Sequence, residues 1–136
     1  MAETRRVDLD RIRVGDCMHH GIVSCDEAAP LAEVAAAMCA HQVHAVTVAG
    51  DRRRAGIVSD VDVIAAAARP ADCTAGEIAA SDAPAISAGR SLRDAARLMT
   101  EHGVSHLLVR HAGTGHLIGV LSSTDIMRAM AGSPQV

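Results

Sequence analysis

Two short stretches hold the residue types best placed to do chemistry. Residues 56–64 read GIVSDVDVI and residues 119–127 read GVLSSTDIM, so each runs Gly, apolar, apolar, Ser, two residues, Asp, apolar. In both, the serine (Ser59, Ser122) stands where an apolar strand segment gives way to a helical one. The aspartate (Asp62, Asp125) follows three residues later. Two chemistries fit that spacing. Ser-x-x-Asp is a variant capping box, in which side chains satisfy the unpaired amides of a helix N-terminus. The same helix end, with its unpaired N–H groups and positive dipole, also suits a phosphate. There the serine hydroxyl adds a donor, and the aspartate accepts hydrogen bonds from two adjacent ribose hydroxyls. The spacing leaves both readings open.

The other reactive side chains are less specific. Cys17, His19, His20 and Cys25 lie close together in sequence, as do Cys39, His41 and His44. A metal site needs three or four ligands converging at about 2.0–2.3 Å. On a helix Cys39 and His41, two apart, do not share a face, whereas His41 and His44 do. These read as surface or cleft histidines, and no metal is expected. Four cysteines without a CxxC are expected as reduced, semi-buried thiols. No Ser, Cys or His has a triad-like setting, so no catalytic residue is assigned and the chain is not expected to be an enzyme. Arg52, Arg53 and Arg54 read as a solvated hairpin tip, with a partner-binding surface as the alternative. Arg110 ends a strand and Arg128 lies one turn past Asp125; either suits a phosphate through bidentate hydrogen bonds.

Composition narrows the field. The chain has 136 residues, 49% of them hydrophobic and none aromatic, and all 13 basic residues are arginine. That length suits one domain or two small halves, with a core of Ala, Val, Ile, Leu and Met. Without Tyr or Trp there is no stacking platform for single-stranded nucleic acid and no aromatic cage. Without lysine there is no Walker-type phosphate loop and no Schiff base. A net charge of −3 argues against bulk nucleic-acid or anionic-membrane binding, although eight histidines make it soft. No apolar run approaches the roughly 18 residues of a membrane span. The charged opening MAETRRVDLD lacks a secretory signal, so a cytoplasmic protein is expected. Abundant alanine and exclusive arginine suggest a GC-rich bacterial genome.

The elements that must position these residues come from a repeat. Residues 15–48 match residues 76–109 at an offset of 61, pairing Leu31 with Leu92, Met38 with Met99 and His41 with His102. The offset then becomes 63, pairing Gly56 with Gly119, Ser59 with Ser122 and Asp62 with Asp125. The change falls in a Gly-containing turn, where a hairpin tolerates insertion. Each copy reads alike. A short apolar segment (21–25; 83–87) leads into a helix carrying Leu31, Val34, Ala35 and Met38, or Leu92, Ala95, Ala96 and Met99. Pro30 and Ser91 mark helix starts and Gly103 a stop. Two strands in a hairpin follow, HAVTVA with AGIVS and HLLVR with LIGVLS, and a closing helix ends the copy. Pro70 bars helix continuation in the linker. The expected organisation is an extension (1–12), a first motif (13–68), a linker (69–74), a second motif (75–131) and a tail (132–136).

Two copies of strand, helix, strand, strand, helix, each closing on G-h-h-S-x-x-D-h, resemble a tandem cystathionine β-synthase (CBS) domain pair, or Bateman module. The openings DCMHHGIVSC and EIAASDAPAIS and the stretches HQVHAVTV and HGVSHLLV stand where that family has recurring patterns. The resemblance covers residues 14–131. It departs in lacking the proline common in the second strand, where Thr47 and Leu108 stand, which puts the local strand geometry in question.

The resemblance implies an α+β fold, with two pseudo-twofold-related β-α-β-β-α motifs packed through their small sheets. It implies a regulatory module without a cofactor. Its ligand would be an adenosine compound, AMP, ADP, ATP or S-adenosylmethionine, in a cleft between the copies. Carried over by position, Asp62 and Asp125 would hold ribose hydroxyls, Ser59 and Ser122 would reach the phosphate, and Ile57 and Val120 would line the base pocket. Val23, Val43 and His44 would complete the Asp125 site; Pro84, Val104 and Ser105 would complete the Asp62 site. Thr124 and His106 would add polar contacts beside Asp125, where the first copy has Val61 and Ala45. The Asp125 site is therefore expected to be the better phosphate site. The small residues at 65–68 would let helices approach closely in a homodimer. With no effector domain expected, the output would pass to an unknown partner protein. Two rival readings are a structural or dimerisation module with vestigial sites, and a metal- or redox-responsive protein using the Cys and His clusters.

Overall fold

The computed structural model describes residues 7–49, 56–69, 72–79 and 84–132. In chain order the elements are α1 (Val14–Cys17), β1 (His19–His20), β2 (Ser24–Asp26), α2 (Leu31–His41), β3 (Ala45–Ala49), β4 (Gly56–Ser59) and α3 (Asp60–Ala67). They continue with α4 (Ala75–Ile78), β5 (Ala85–Ser87), α5 (Leu92–His102), β6 (His106–Arg110), β7 (Leu117–Ser122) and α6 (Ser123–Met130). The fold is α+β. It divides into two compact units, one of residues 22–83 and one of residues 1–21 with 84–136.

In the unit of residues 22–83 the sheet order is β2-β3-β4, with β2 parallel to β3 and β4 antiparallel to it. Val34 and Met38, four apart on α2, meet Val46, Val48 and Val58 from the sheet and Ala75 from α4. Pro30 opens α2, as its fixed φ and missing N–H suit a helix start. The helix stops at Gln42, whose φ of 54° places a non-glycine residue in the left-handed region.

In the other unit the sheet order is β1-β7-β6-β5. Leu92, Ala95 and Met99 on α5 pack with Leu107, Val109, Leu121 and Ile126. Ser91 caps α5 by accepting a hydrogen bond from the Asp94 amide at 3.2 Å, and Gly103 ends it at φ 63°. Leu92 is fully buried, while its repeat mate Leu31 is only half-buried. Both hairpins and both closing helices lie where the repeat predicts them. The first strands are Ser24–Asp26 and Ala85–Ser87, within the expected segments or one residue beyond. Arg52, Arg53, Arg54 and Pro70 lie outside the described residues.

The packing crosses the repeat. Residues 7–21, which include the opening of the first copy, build on the second. The amides of Leu92 and Arg93 donate to the carbonyls of Ile12 and Leu9, at 2.9 and 3.4 Å, so the chain start satisfies exposed donors of α5. The Val14 and Gly15 amides donate to Arg90 and Ala88. In the mirror arrangement, the Ala75 and Gly76 amides donate to Ala29 and Glu27. Gly15 and Gly76 occupy equivalent places. A Cβ at either would stand 3.0–3.3 Å from the facing backbone or Cβ, so close approach accounts for both glycines. β1 then pairs with β7, His19 opposite Val120 and His20 opposite Gly119, and a Cβ on Gly119 would collide with the His19 carbonyl. Sequence periodicity revealed none of α1, α4 or β1.

Without the prolines, both positions keep a backbone donor for their parallel neighbour, and the β6–β7 pairing shifts register just beyond, between Val109 and Arg110. The Thr47 amide donates to Val23 O at 2.9 Å and the Leu108 amide to Pro84 O at 3.1 Å. A proline at either position would delete that bond.

Candidate functional site

The unit containing the second copy holds its polar cluster where β7 meets α6. Ser122 ends the strand and is the N-cap; Asp125 is the third helical residue. Ser122 Oγ accepts from the Asp125 amide at 3.2 Å, and Asp125 Oδ2 accepts from the Ser122 amide at 2.8 Å. The capping-box reading therefore describes real bonds. Yet Asp125 is only 1% exposed, and a buried carboxylate needs more than a cap. Arg128 Nη1 donates to Oδ1 at 3.1 Å, and His19 Nδ1 lies 3.3 Å from Oδ2. The two cation-forming side chains are 47% and 55% exposed. A buried acceptor thus faces two donors that reach solvent. The negative field also reaches Cys17, whose thiol is pushed up by burial first, then by Asp16 and Asp125.

The neighbouring predicted residues fall around this cluster to different degrees. His106 is buried opposite Ser122 in the β6–β7 ladder, with its Nδ1 3.0 Å from Ser105 Oγ. Val120 is half-buried on β7, and Thr124 is exposed on the first turn of α6. Arg110 is at the other end of β6, four residues from His106 and so roughly 13 Å along the strand. Its Nη1 donates to Gly115 O at 3.2 Å in the hairpin turn, and the structure does not bring it to Asp125. Pro84 and Val104 are half-buried and Ser105 is exposed.

The unit of residues 22–83 repeats the cap without its company. Asp62 Oδ2 accepts from the Ser59 amide at 2.8 Å, and Ser59 Oγ from the Asp62 amide at 3.3 Å. Both residues are half-buried. Ala65 stands where the other copy has Arg128, Ala45 where it has His106, and Val61 where it has Thr124. Ile57 is buried opposite Thr47, and Val23 is half-buried. His44 is exposed, with Nδ1 3.3 Å from Asp60 Oδ2. With Asp60 it forms the polar edge of a groove of about 410 Å³ between α2 and α3, walled by Met38, Val43, Val63 and Ile64.

Sequence reasoning did not join His19 to Asp125. His19 sits 106 positions from Asp125, and only the pairing of β1 with β7 joins them. All four cysteines are thiols: Cys17 buried, Cys39 exposed and the others half-buried. Among the described residues no three or more His, Cys, Asp or Glu side chains converge as a metal site would require. No helix among them is long and apolar enough to cross a membrane.

Comparison with known proteins places the chain in a family. The CBS domain family model matches residues 14–69 and 75–132. Hypoxic response protein 1 of Mycobacterium tuberculosis is 30% identical over 118 residues, covering 83% of this chain and 81% of the relative. A crystal structure of Hypoxic Response Protein I with two coordinated zinc ions is 29% identical with a TM-score of 0.66, covering 85% of this chain and 97% of that one. A CBS domain protein of Pyrobaculum aerophilum complexed with AMP is 28% identical with a TM-score of 0.71, covering 90% of this chain and all of that one.

Proposed function

This chain belongs to the CBS domain family, and from that premise we propose that it is a regulatory module that binds an adenosine-containing ligand and reports binding to a partner protein. AMP, ADP, ATP and S-adenosylmethionine share the vicinal ribose hydroxyls that such a site recognises. One observation carries the reading. Asp125 is buried at the start of α6, beside two half-exposed basic side chains, at a strand-to-helix junction that the sequence repeats. A cap alone asks for neither the burial nor the two basic side chains. The AMP complex of the Pyrobaculum relative supports the choice of ligand.

In this proposal Asp125 takes the ribose hydroxyls, Ser122 and the first amides of α6 face the phosphate, and Val120, Thr124 and His106 border the ligand. Asp62, Ser59 and Ile57 take the corresponding roles in the other unit. The module works in the cytoplasm and self-associates. Val61 and Ile64 on α3, and Met127 and Met130 on α6, are 56–70% exposed and offer apolar surface for this.

Equilibrium dialysis against AMP and S-adenosylmethionine tests the ligand. A chain without Trp or Tyr barely absorbs at 280 nm, so bound adenine shows directly near 260 nm. Saturable binding of either compound is expected; absence of binding of both at millimolar concentration overturns the proposal.

A further inference from the structure

The Asp125 carboxylate is already engaged. Oδ2 accepts from the Ser122 amide and faces His19, while Oδ1 accepts from Arg128. A carboxylate offers about four acceptor positions, and a ribose diol needs two. A diol therefore displaces at least one of the three present contacts. The Ser122 amide belongs to the backbone of a buried helix start and cannot leave without unwinding α6. His19 and Arg128 are about half exposed and are the groups able to turn away.

Resting on the ligand reading above, we propose that His19 and Arg128 occupy Asp125 in the empty site and pass to the ligand's phosphate when the ribose takes the carboxylate. The unit thereby selects nucleoside phosphates over nucleosides. Arginine suits the exchange because its guanidinium matches phosphate as well as carboxylate. Arg128 starts one helical turn from the α6 amides that face the same phosphate. A nucleoside without phosphate displaces the same contacts and offers no acceptor for the released side chains. The other unit has no such exchange: Asp62 makes only its capping bonds among the described residues, and Ala65 replaces Arg128.

Calorimetric titration with AMP and adenosine tests this, in an Asp62→Asn background so that only the Asp125 site is read. The parent should prefer AMP by at least about tenfold, or 1.4 kcal/mol. In His19→Ala/Arg128→Ala the preference should fall below about threefold, with adenosine binding unchanged or tighter. Arg128→Gln, which keeps a donor for Asp125 but no charge, should also lose AMP preference and guards against misfolding of the double variant. A double variant that keeps the full preference, or that loses both compounds equally, overturns the proposal. If the parent binds neither compound, the ligand reading itself fails and this inference with it.

Discussion

Asp125 and Asp62 occupy the same place in the repeat and differ in their company. Replacing Asp125 by alanine strands a buried Ser122 amide and leaves Arg128 and His19 without their acceptor, at a cost of about 2–4 kcal/mol. The same change at half-buried Asp62 removes one capping box and should cost about 1 kcal/mol. Urea denaturation followed by far-ultraviolet circular dichroism measures both, since no aromatic fluorescence is available. The thiols differ as sharply. Cys39 is exposed, whereas burial and nearby carboxylates push Cys17 and Cys25 up and hold them protonated. A maleimide should label Cys39 first and Cys17 last, with at least about tenfold between them by mass spectrometry of digests. Ser59 with Asp62, and Ser122 with Asp125, were legible in the sequence because each pair is three residues apart. The His19–Asp125 contact was not, because no local pattern reports a partner 106 residues away.

Helices α2 and α5 start and stop at the same places in the repeat, with one difference at their C-terminal ends. Gly103 takes the left-handed conformation without steric cost, whereas Gln42 adopts it with a side chain. Gln42→Gly should stabilise the chain by about 1 kcal/mol and raise the melting temperature by several degrees. An unchanged or lowered melting temperature would contradict the account of that helix end. The long helices and the hairpin strands were readable from apolar spacing over ten or so residues. Four-residue α1 and α4 and two-residue β1 are shorter than any such pattern, so their apolar residues Val14, Cys17 and Ala75 give no helical or strand signal. Gly15 and Gly76 within them, and Gly119 on β7 opposite β1, mark close backbone approach, which becomes evident only once the opposing chain is in place.

At the scale of the molecule, the chain start is part of the second copy's unit. Val14, Cys17 and Met18 are buried in its core and β1 extends its sheet. Removing residues 1–21 deletes about 5 kcal/mol of burial, comparable with the whole stability of a small domain. A chain of residues 22–136 should lose about 10 °C or more in melting temperature by circular dichroism. A melt unchanged from the full chain would show that the N-terminal segment is dispensable. The repeat made two like halves legible, but a match along the diagonal says nothing about which half a leading segment packs on. The same division bears on the proposed ligand site, because β1 brings His19 to Asp125. The most direct test of the account is calorimetric titration of AMP into the full chain and into Asp125→Asn, which keeps an oxygen for the Ser122 amide but loses the charge. Saturable binding by the full chain, weakened at least about tenfold in the variant while its melting temperature stays within a few degrees, is the predicted result. Equal affinity in the two proteins, or no binding by the full chain, would contradict it.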